Sequence, residues 1–268
     1  MRLPKAIHNK KYIVRKAAAR LLLPAPIIFV IITKGRTGST LLNSLFDSHP
    51  RIRVCGEVIG EYTLRQPDLR KEILELGALP YVKRCFNRAD LESAVGIKIL
   101  YYQVEHRYGQ RWGVDGLPGV LNFLKSQRDI KIIHLKRRNR LKTFASGRVA
   151  RLTKKYIEYQ EETENARNIN INLTIDECER QFTRIGQWEK YYDDIFQEHK
   201  MLEVFYENLV AEQQTECNRL LDFLGVRRKP LSTRFKKQRT NPVSEVIENY
   251  EELKRHFSGT EWGRFFDE

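Results

Sequence analysis

A chain of 268 residues with 41% hydrophobic and 31% charged residues is long enough for one large α/β domain or two small ones, and too apolar for wholesale disorder. Lys and Arg number 48 against 34 acids, a net charge of +14 that favours polyanionic partners such as phosphorylated nucleotides, nucleic acid, anionic lipid or acidic glycan. Cys55, Cys85, Cys178 and Cys217 are widely spaced with no C-x-x-C pair, which argues against a zinc site or a disulfide scaffold and for reduced thiols in a cytoplasmic protein.

Residues 1–26 form a basic N-terminal segment. Its apolar stretch, Leu21–Ile32, is interrupted by Pro24 and Pro26 and is too short to span a bilayer as a helix. No secretory cleavage site stands out. Lys10–Leu23 reads as a short basic amphipathic helix, either packed on the domain or resting on an anionic membrane surface. The β-branched run Ile27–Thr33 predicts a buried strand, and Ser39–Ser48 a helix with Leu41, Leu42, Leu45 and Phe46 at helical spacing. Arg51–Cys55 is a short strand followed by Gly56 and Glu57. Glu61–Arg88 reads as largely helical, with Pro67 and Pro80 as breaks. Ala94–Val104 and Asp129–Arg137 are strands, and Leu117–Gln127, Asn139–Arg151 and Ile175–Gln197 are helices. Lys200–Leu209 is a strand leading into a loop, Glu212–Leu224 a helix ended by Gly225, and Glu245–Ser258 the last helix. The polar stretch Thr153–Thr174 reads as a mobile insert in a single domain over 27–268. Strands alternating with helices predict an α/β fold with a parallel, doubly wound sheet.

The turn after the first strand, "TKGRTGST" from Thr33 to Thr40, has the makings of an anion site. Backbone N–H groups of such a turn point into a concavity, and the helix N-terminus adds partial positive charge. Gly35 and Gly38 permit close backbone approach, Thr37, Ser39 and Thr40 add hydroxyls, and Lys34 and Arg36 add charge. The spacing is not G-x-x-x-x-G-K-[ST], which disfavours an ATP or GTP hydrolase built on that motif. A second strand, "IKIIHLKRRNRLKTFAS", also ends in basic residues and enters a helix. Cations beside a positive helix end are unfavourable unless an anion is present, so the two turns suggest a ligand with two separated anionic groups. Arg138 and Ser146 are eight residues apart, about 12 Å of helical rise, and meet on one phosphate only if Arg138 folds back from the loop.

"TKGRTGSTLL" resembles the 5′-phosphosulfate loop of sulfotransferases that use 3′-phosphoadenosine-5′-phosphosulfate (PAPS), with Arg36, Thr37, Gly38, Ser39 and Thr40 on its core. "IIHLKRRNRLKTFAS" resembles their 3′-phosphate element, and Arg138 and Ser146 match its spacing. "RTGSTLLNSLFDSHPRIRVCGEVIGEY" most resembles the bacterial carbohydrate sulfotransferases of the nodulation-factor and trehalose types; tyrosylprotein and Golgi carbohydrate sulfotransferases are similar in the same order of loop, helix, "HP" and Glu. "LGVRRKP" and "KKQRTNPVSEVIENYEEL" resemble the C-terminal part of the bacterial group. The likeness runs from about Ile27 to Phe257. The chain departs from many cytosolic members in carrying Arg36 where they carry Lys, and Thr153–Thr174 matches no family element.

The resemblance implies a P-loop-like three-layer α/β/α sulfotransferase fold with a central parallel sheet. It also implies PAPS as sulfuryl donor, no metal, and in-line attack by an acceptor hydroxyl. Catalysis is then positioning and electrostatic stabilisation, as in phosphoryl transfer. Arg36 becomes the leaving-group stabiliser, and Glu57 the base, in a dry cleft that suits the role. Glu61 is the alternative base and His106 a further one; His49 reads as a turn residue, and Lys98 as a lysine within reach of the cofactor or acceptor. Lys34, Gly35 and the core loop hold the 5′ end of the nucleotide, Arg138 and Ser146 the 3′-phosphate, and Lys236, Lys237 and Arg239 close over it. The acceptor implied is a carbohydrate or glycolipid, with Tyr62, Tyr101, Tyr102 and Trp112 as a sugar-stacking wall. Two readings compete: a P-loop-type phosphotransferase, and a non-enzymatic binder of nucleic acid or heparin-like glycan. Against the second, no nucleic-acid module is recognisable and the basic residues cluster at strand ends.

Overall fold

The apolar run Ile27–Thr33 forms β1, whose residues from Phe29 onward are buried. The computed structural model describes residues 24–87, 91–153, 169–233 and 242–267. The helix expected over Lys10–Leu23 and the residues Lys236, Lys237 and Arg239 lie outside them. β1 is the middle strand of a five-stranded sheet ordered β2-β3-β1-β4-β5, with β2 (Ile52–Val54), β3 (Ala94–Leu100), β4 (Lys131–Lys136) and β5 (Met201–Phe205). Every pairing is parallel; Ile32 of β1 stands between Ile99 of β3 and His134 of β4. The strand order reverses about β1, so the loops at the carboxyl ends of β1, β3 and β4 flank a crevice of the kind that binds ligands in open α/β sheets.

A parallel sheet must be covered on both faces. The helices are α1 (Ser39–Asp47), α2 (Glu61–Leu64), α3 (Pro67–Leu76), α4 (Ala78–Cys85), α5 (His106–Trp112), α6 (Leu117–Ser126), α7 (Arg140–Thr153), α8 (Ile175–Ile195), α9 (Tyr206–Ala211), α10 (Gln213–Leu224), α11 (Val243–Val246) and α12 (Tyr250–Phe257). On one face Val30, Ile32, Ile97, Ile99 and Ile132 pack under α3, α4, α6 and the end of α8. On the other, Phe29, Ile31, Ile133, Leu135 and Val204 pack under α1 and α10. A third apolar cluster joins α7, α8 and α12 through Phe144, Phe182, Leu253, Phe257 and Phe265. The expected three-layer α/β/α arrangement around a parallel sheet is therefore the one observed. No helix of the described residues is long and apolar enough to cross a membrane.

Departures from expectation have local causes. Glu61–Arg88 divides into α2, α3 and α4. Pro67 and Pro80 fall in the first turns of α3 and α4, where a missing N–H costs nothing, and the break is Gly77 at φ 83°. The last long helix, expected over Glu245–Ser258, is split because Ile171 bridges to Ile247: the Ile171 N–H donates to Val246 O and the Glu248 N–H to Ile171 O, each at 2.9 Å. Of the expected insert, residues 154–168 lie outside the described residues, while Ile171 and Leu173 at its end are core residues. From Thr174 the chain starts α8 with a capping box, its hydroxyl accepting the Glu177 N–H and its own N–H donating to the Glu177 carboxylate. β5 runs directly into α9, and α5 follows β3; neither helix shows in the sequence pattern.

Candidate active site

The loop from Lys34 to Gly38 leaves β1 at the centre of the crevice. Thr33 Oγ1 donates to Leu135 O at 2.6 Å and Thr37 Oγ1 to Lys34 O at 2.7 Å, pinning the turn to β4 and to itself. Arg36 and Gly38 both have positive φ, 73° and 85°. Gly38 is also sterically required, since a Cβ there would lie 2.3 Å from Cδ2 of Tyr206. At Gly35 a Cβ would meet nothing of the protein nearer than Leu100 Cδ1, at 3.7 Å. Gly38 caps α1 without a side-chain hydrogen bond, and the first turn of α1 carries no acid. The leading N–H groups, including those of the buried Ser39, therefore face the crevice with the positive end of the helix behind them.

Glu57, two residues beyond the Cys55 that follows β2, reaches the same loop. Its Oε1 is 2.9 Å from Nζ of Lys98, and Lys98 Nζ is 3.4 Å from Ser39 Oγ. Its Oε2 accepts from Gln103 Nε2 at 2.8 Å, while Gln103 Oε1 accepts the Leu100 N–H at 2.9 Å. Lys98 sits on the α1 side of β3, its side chain 6% exposed against 28% for Glu57. A carboxylate, a buried ammonium and an anion loop thus share one pocket edge. Gln103, in the 3₁₀ turn Tyr101–Val104, escaped sequence reasoning because nothing in "YYQV" marks the glutamine as inward-facing.

The other candidates separate. Glu61 turns to Arg65, whose Nε donates to it at 3.0 Å on the exposed side of α2. His49 is buried in a turn, its Nδ1 accepting the Arg51 N–H and its Nε2 lying 3.1 Å from Arg227 O, as a turn residue should. His106 is exposed at the start of α5. Of the aromatic wall, Tyr101 belongs to the core: it is 1% exposed, stacks on Tyr192 and hydrogen-bonds His134, which in turn meets Asp193. Tyr62 is 72% exposed, Tyr102 and Trp112 half-buried. The guanidinium groups of Arg65 and Arg111 lie 5.9 and 5.6 Å from the Trp112 ring.

Lys34 is drawn under the loop. Its Nζ lies 5.4 Å from the Trp188 ring and 5.9 Å from that of Tyr102. Burial first, then the charges of Arg151 and Arg184, push its pKa down to about 8.

The second basic turn is arranged differently from its expectation. Ser146 Oγ accepts from Arg36 Nε at 3.0 Å, so Ser146 stands beside the first loop. Arg138 extends over the Phe205 ring, 4.1 Å from its centroid, and donates to Asn208 Oδ1 at 2.8 Å. Glu207 accepts the N–H groups of Arg138 and Asn139, at 3.1 and 3.4 Å, and Asn139 Oδ1 caps the Lys142 N–H. The N–H groups of Arg138, Asn139 and Lys142 are therefore satisfied by the protein itself. Its neighbour Arg137, which no motif marks, passes beneath the first loop: it stacks on Tyr206 at 4.8 Å and donates to Arg36 O at 3.2 Å.

The nodulation protein H of Rhizobium tropici is 29% identical over 250 residues, covering 91% of this chain and 95% of that one. The nodulation protein H of Rhizobium meliloti strain 1021 is 28% identical over 249 residues, covering 90% and 96%. A solved sulfotransferase from Alicyclobacillus acidocaldarius aligns with a TM-score of 0.47 at 16% identity, over 88% of this chain and 92% of that one. The model of the sulfotransferase family matches residues 26–230, well over half of the sequence, and the chain belongs to that family.

Proposed function

We propose that this sulfotransferase takes its sulfuryl group from PAPS and delivers it to a hydroxyl of a carbohydrate or glycolipid, with Glu57 as base and Arg36 as the principal cation at the reacting end. The observation that carries the reading is the chain Glu57–Lys98–Ser39, which brings a carboxylate with spare lone pairs to the edge of an anion loop. The donor set fits the nucleotide: an uncapped helix N-terminus, a glycine held under Tyr206, and cations at two strand ends. When bound, PAPS supplies an activated sulfuryl group on its 5′-phosphate.

Arg36 and the N–H groups from Thr37 to Thr40 stabilise negative charge that grows on the oxygens at the loop. Lys34 and Gly35 line the same end. Arg138 and Ser146 recognise the 3′-phosphate, for which Arg138 exchanges Asn208 for the ligand. Glu57 removes the proton of the acceptor hydroxyl, and Lys98 and Gln103 fix its orientation and balance its charge. Tyr102 and Trp112 are the aromatic faces left to stack on a sugar. The same reading makes the protein cytoplasmic, with its basic N-terminal segment available to an anionic membrane surface.

The test is calorimetric titration with 3′-phosphoadenosine-5′-phosphate (PAP), AMP and ATP at fixed salt in EDTA, followed by label transfer from PAPS to neutral oligosaccharides, trehalose among them. Selective binding of PAP and labelled sugar are expected. Binding without preference for PAP would overturn the donor, and transfer only to tyrosine peptides or simple alcohols would overturn the acceptor class.

A further inference from the structure

Cys55 follows β2 and Cys85 ends α4, and both thiols are half-buried. Arg53 ties the two places together. Its Nη1 donates to Cys55 Sγ at 2.9 Å, and its Nη2 donates to Cys85 O at 3.1 Å and to Asn87 O. The Cys55 thiol also lies 3.4 Å from Cys85 O, so the two cysteines stand side by side. The other cysteines, Cys178 and Cys217, are buried in separate apolar clusters.

The environment splits the roles of the pair. The thiolate is the reactive form of cysteine. As a thiolate, Cys55 accepts from Arg53, whose Nη1 stands 2.9 Å from its sulfur. Arg53 meets Cys85 only at its backbone carbonyl. The guanidinium therefore favours the thiolate at Cys55, which makes Cys55 the attacking sulfur and Cys85 the one that resolves it.

We propose that Cys55 and Cys85 are a thiol–disulfide modification site, closed by a hydroperoxide. The Cys55 thiolate attacks the peroxide oxygen; the O–O bond breaks, and with one proton taken up a sulfenic acid forms and water (or the alcohol of an organic peroxide) leaves. Cys85 sulfur then attacks the Cys55 sulfur, its proton leaves with the departing hydroxide as a second water, and the S–S bond closes. Two thiols lose two electrons to one peroxide, and a dithiol reductant reverses the bond. The disulfide fastens to α4 the strand end that leads into Glu57: the Cys55 N–H donates to Gly96 O and the Lys98 N–H to Gly56 O, both at 2.8 Å, so these residues extend the ladder toward the candidate base.

The experiment is titration of the full chain with hydrogen peroxide near neutral pH, then alkylation and peptide mapping. The expected result is a fall in free thiols from the four of the sequence to two. One peptide should join Cys55 to Cys85, be lost on treatment with dithiothreitol, and be missing from Cys55→Ser and Cys85→Ser. Cys55 oxidised to sulfinate with Cys85 still alkylated, or links formed only between separate chains, would overturn the proposal. The wild-type map decides by itself, whatever the folding of the variants, and it is independent of the donor and the acceptor.

Discussion

Lys98 Nζ stands 2.9 Å from Glu57 Oε1 and 3.4 Å from Ser39 Oγ, so a single buried ammonium couples the carboxylate after β2 to the first turn of α1. Removing one partner of a buried pair strands the other, at about 3–5 kcal/mol when both are fully buried. Glu57 retains contact with water, and about 1–3 kcal/mol is the reasonable scale here. Glu57→Gln is expected to lower turnover by about 10²–10⁴-fold, the usual scale for a general base. It should also lower Tm. Adding Lys98→Met to Glu57→Gln should restore Tm and leave turnover lost. Melting curves and PAPS turnover of the two variants check this; a double variant less stable than the single would show that the two charges are not coupled.

Arg36 holds φ at 73°, the one non-glycine with positive φ among the described residues. That conformation costs an L-residue about 1–2 kcal/mol, while glycine brings an entropic penalty of about 0.5–1 kcal/mol. Arg36→Gly should therefore melt at or slightly above the wild-type temperature while turnover falls about 10²–10³-fold, the cost of losing one stabiliser of developing charge. Arg36→Lys keeps the charge without the planar fork that meets Ser146 and should fall between. If Arg36→Gly instead melts well below wild type, the arginine contacts shape the loop and the catalytic reading of the loss weakens.

Gly38 and Gly35 offer a paired comparison within one loop. Alanine at Gly38 needs φ 85° and puts its Cβ 2.3 Å from the Tyr206 ring, whereas alanine at Gly35 meets only ordinary van der Waals contact. Gly38→Ala should lose about 1–3 kcal/mol of stability and at least tenfold in affinity for PAP. Gly35→Ala should bind and melt as the wild type does. Equal damage from both would mean that the loop moves as a unit on binding.

The parts of this molecule that were legible are those where one physical term dominates. Ile27–Thr33 is a run of β-branched residues with no competing helical period, and its limits agree with the observed strand. Burial of both sheet faces makes the strand from Ala94 equally plain, but it ends at Leu100 and not Val104, because Tyr101–Val104 turns as a 3₁₀ helix. Glu245–Ser258 has helical composition throughout, but one backbone bridge from Ile171, distant in sequence, interrupts it. The site divides in the same way. Arg36 and Glu57 stand out because each follows a strand, whereas Gln103 and Arg137 matter through contacts with residues far away in the chain. Arg138 and Ser146 fit a motif spacing, yet Ser146 sits on Arg36 and Arg138 on Asn208, because side-chain rotamers answer to neighbours and not to spacing.

Lys34 gives the protein a pH signature. An ordinary lysine keeps its proton to 10.5, and Lys34 in the fold loses it near 8. Between those values the unfolded chain binds more protons, so the contribution of Lys34 to stability rises with pH, is complete above the unfolded value and is lost as pH falls through 8. At pH 7 the buried ammonium is a destabilising group. Lys34→Met should therefore raise Tm at pH 7, and the advantage should shrink as pH approaches 10. A Tm difference independent of pH would show that methionine packing, and not charge, is responsible. An anion placed in the loop favours the charged lysine, so PAP titrated near pH 8.5 should take up protons, read as a buffer-dependent binding enthalpy that Lys34→Met abolishes.

Two adjacent arginines separate ligand recognition from loop support. Arg138 lies over Phe205 with its guanidinium on Asn208, at the surface. Arg137 lies beneath the loop, on Tyr206 and on the Arg36 carbonyl. If Arg138 meets the 3′-phosphate, a charge-assisted hydrogen bond of about 1.5–3 kcal/mol is lost in Arg138→Ala, or roughly 10–100-fold in PAP affinity, with AMP unaffected. Arg137→Ala removes a support of the loop that every nucleotide would use, and should weaken PAP and AMP by the same factor. Asn208→Ala frees Arg138 from its resting contact, and a modest tightening for PAP alone is expected because the ligand no longer competes with that hydrogen bond. Parallel titrations of the three variants with PAP and AMP decide the matter. Equal loss of both ligands in Arg138→Ala would move the 3′-phosphate contact away from Arg138 and onto Arg36 and Ser146, which already share a hydrogen bond at 3.0 Å.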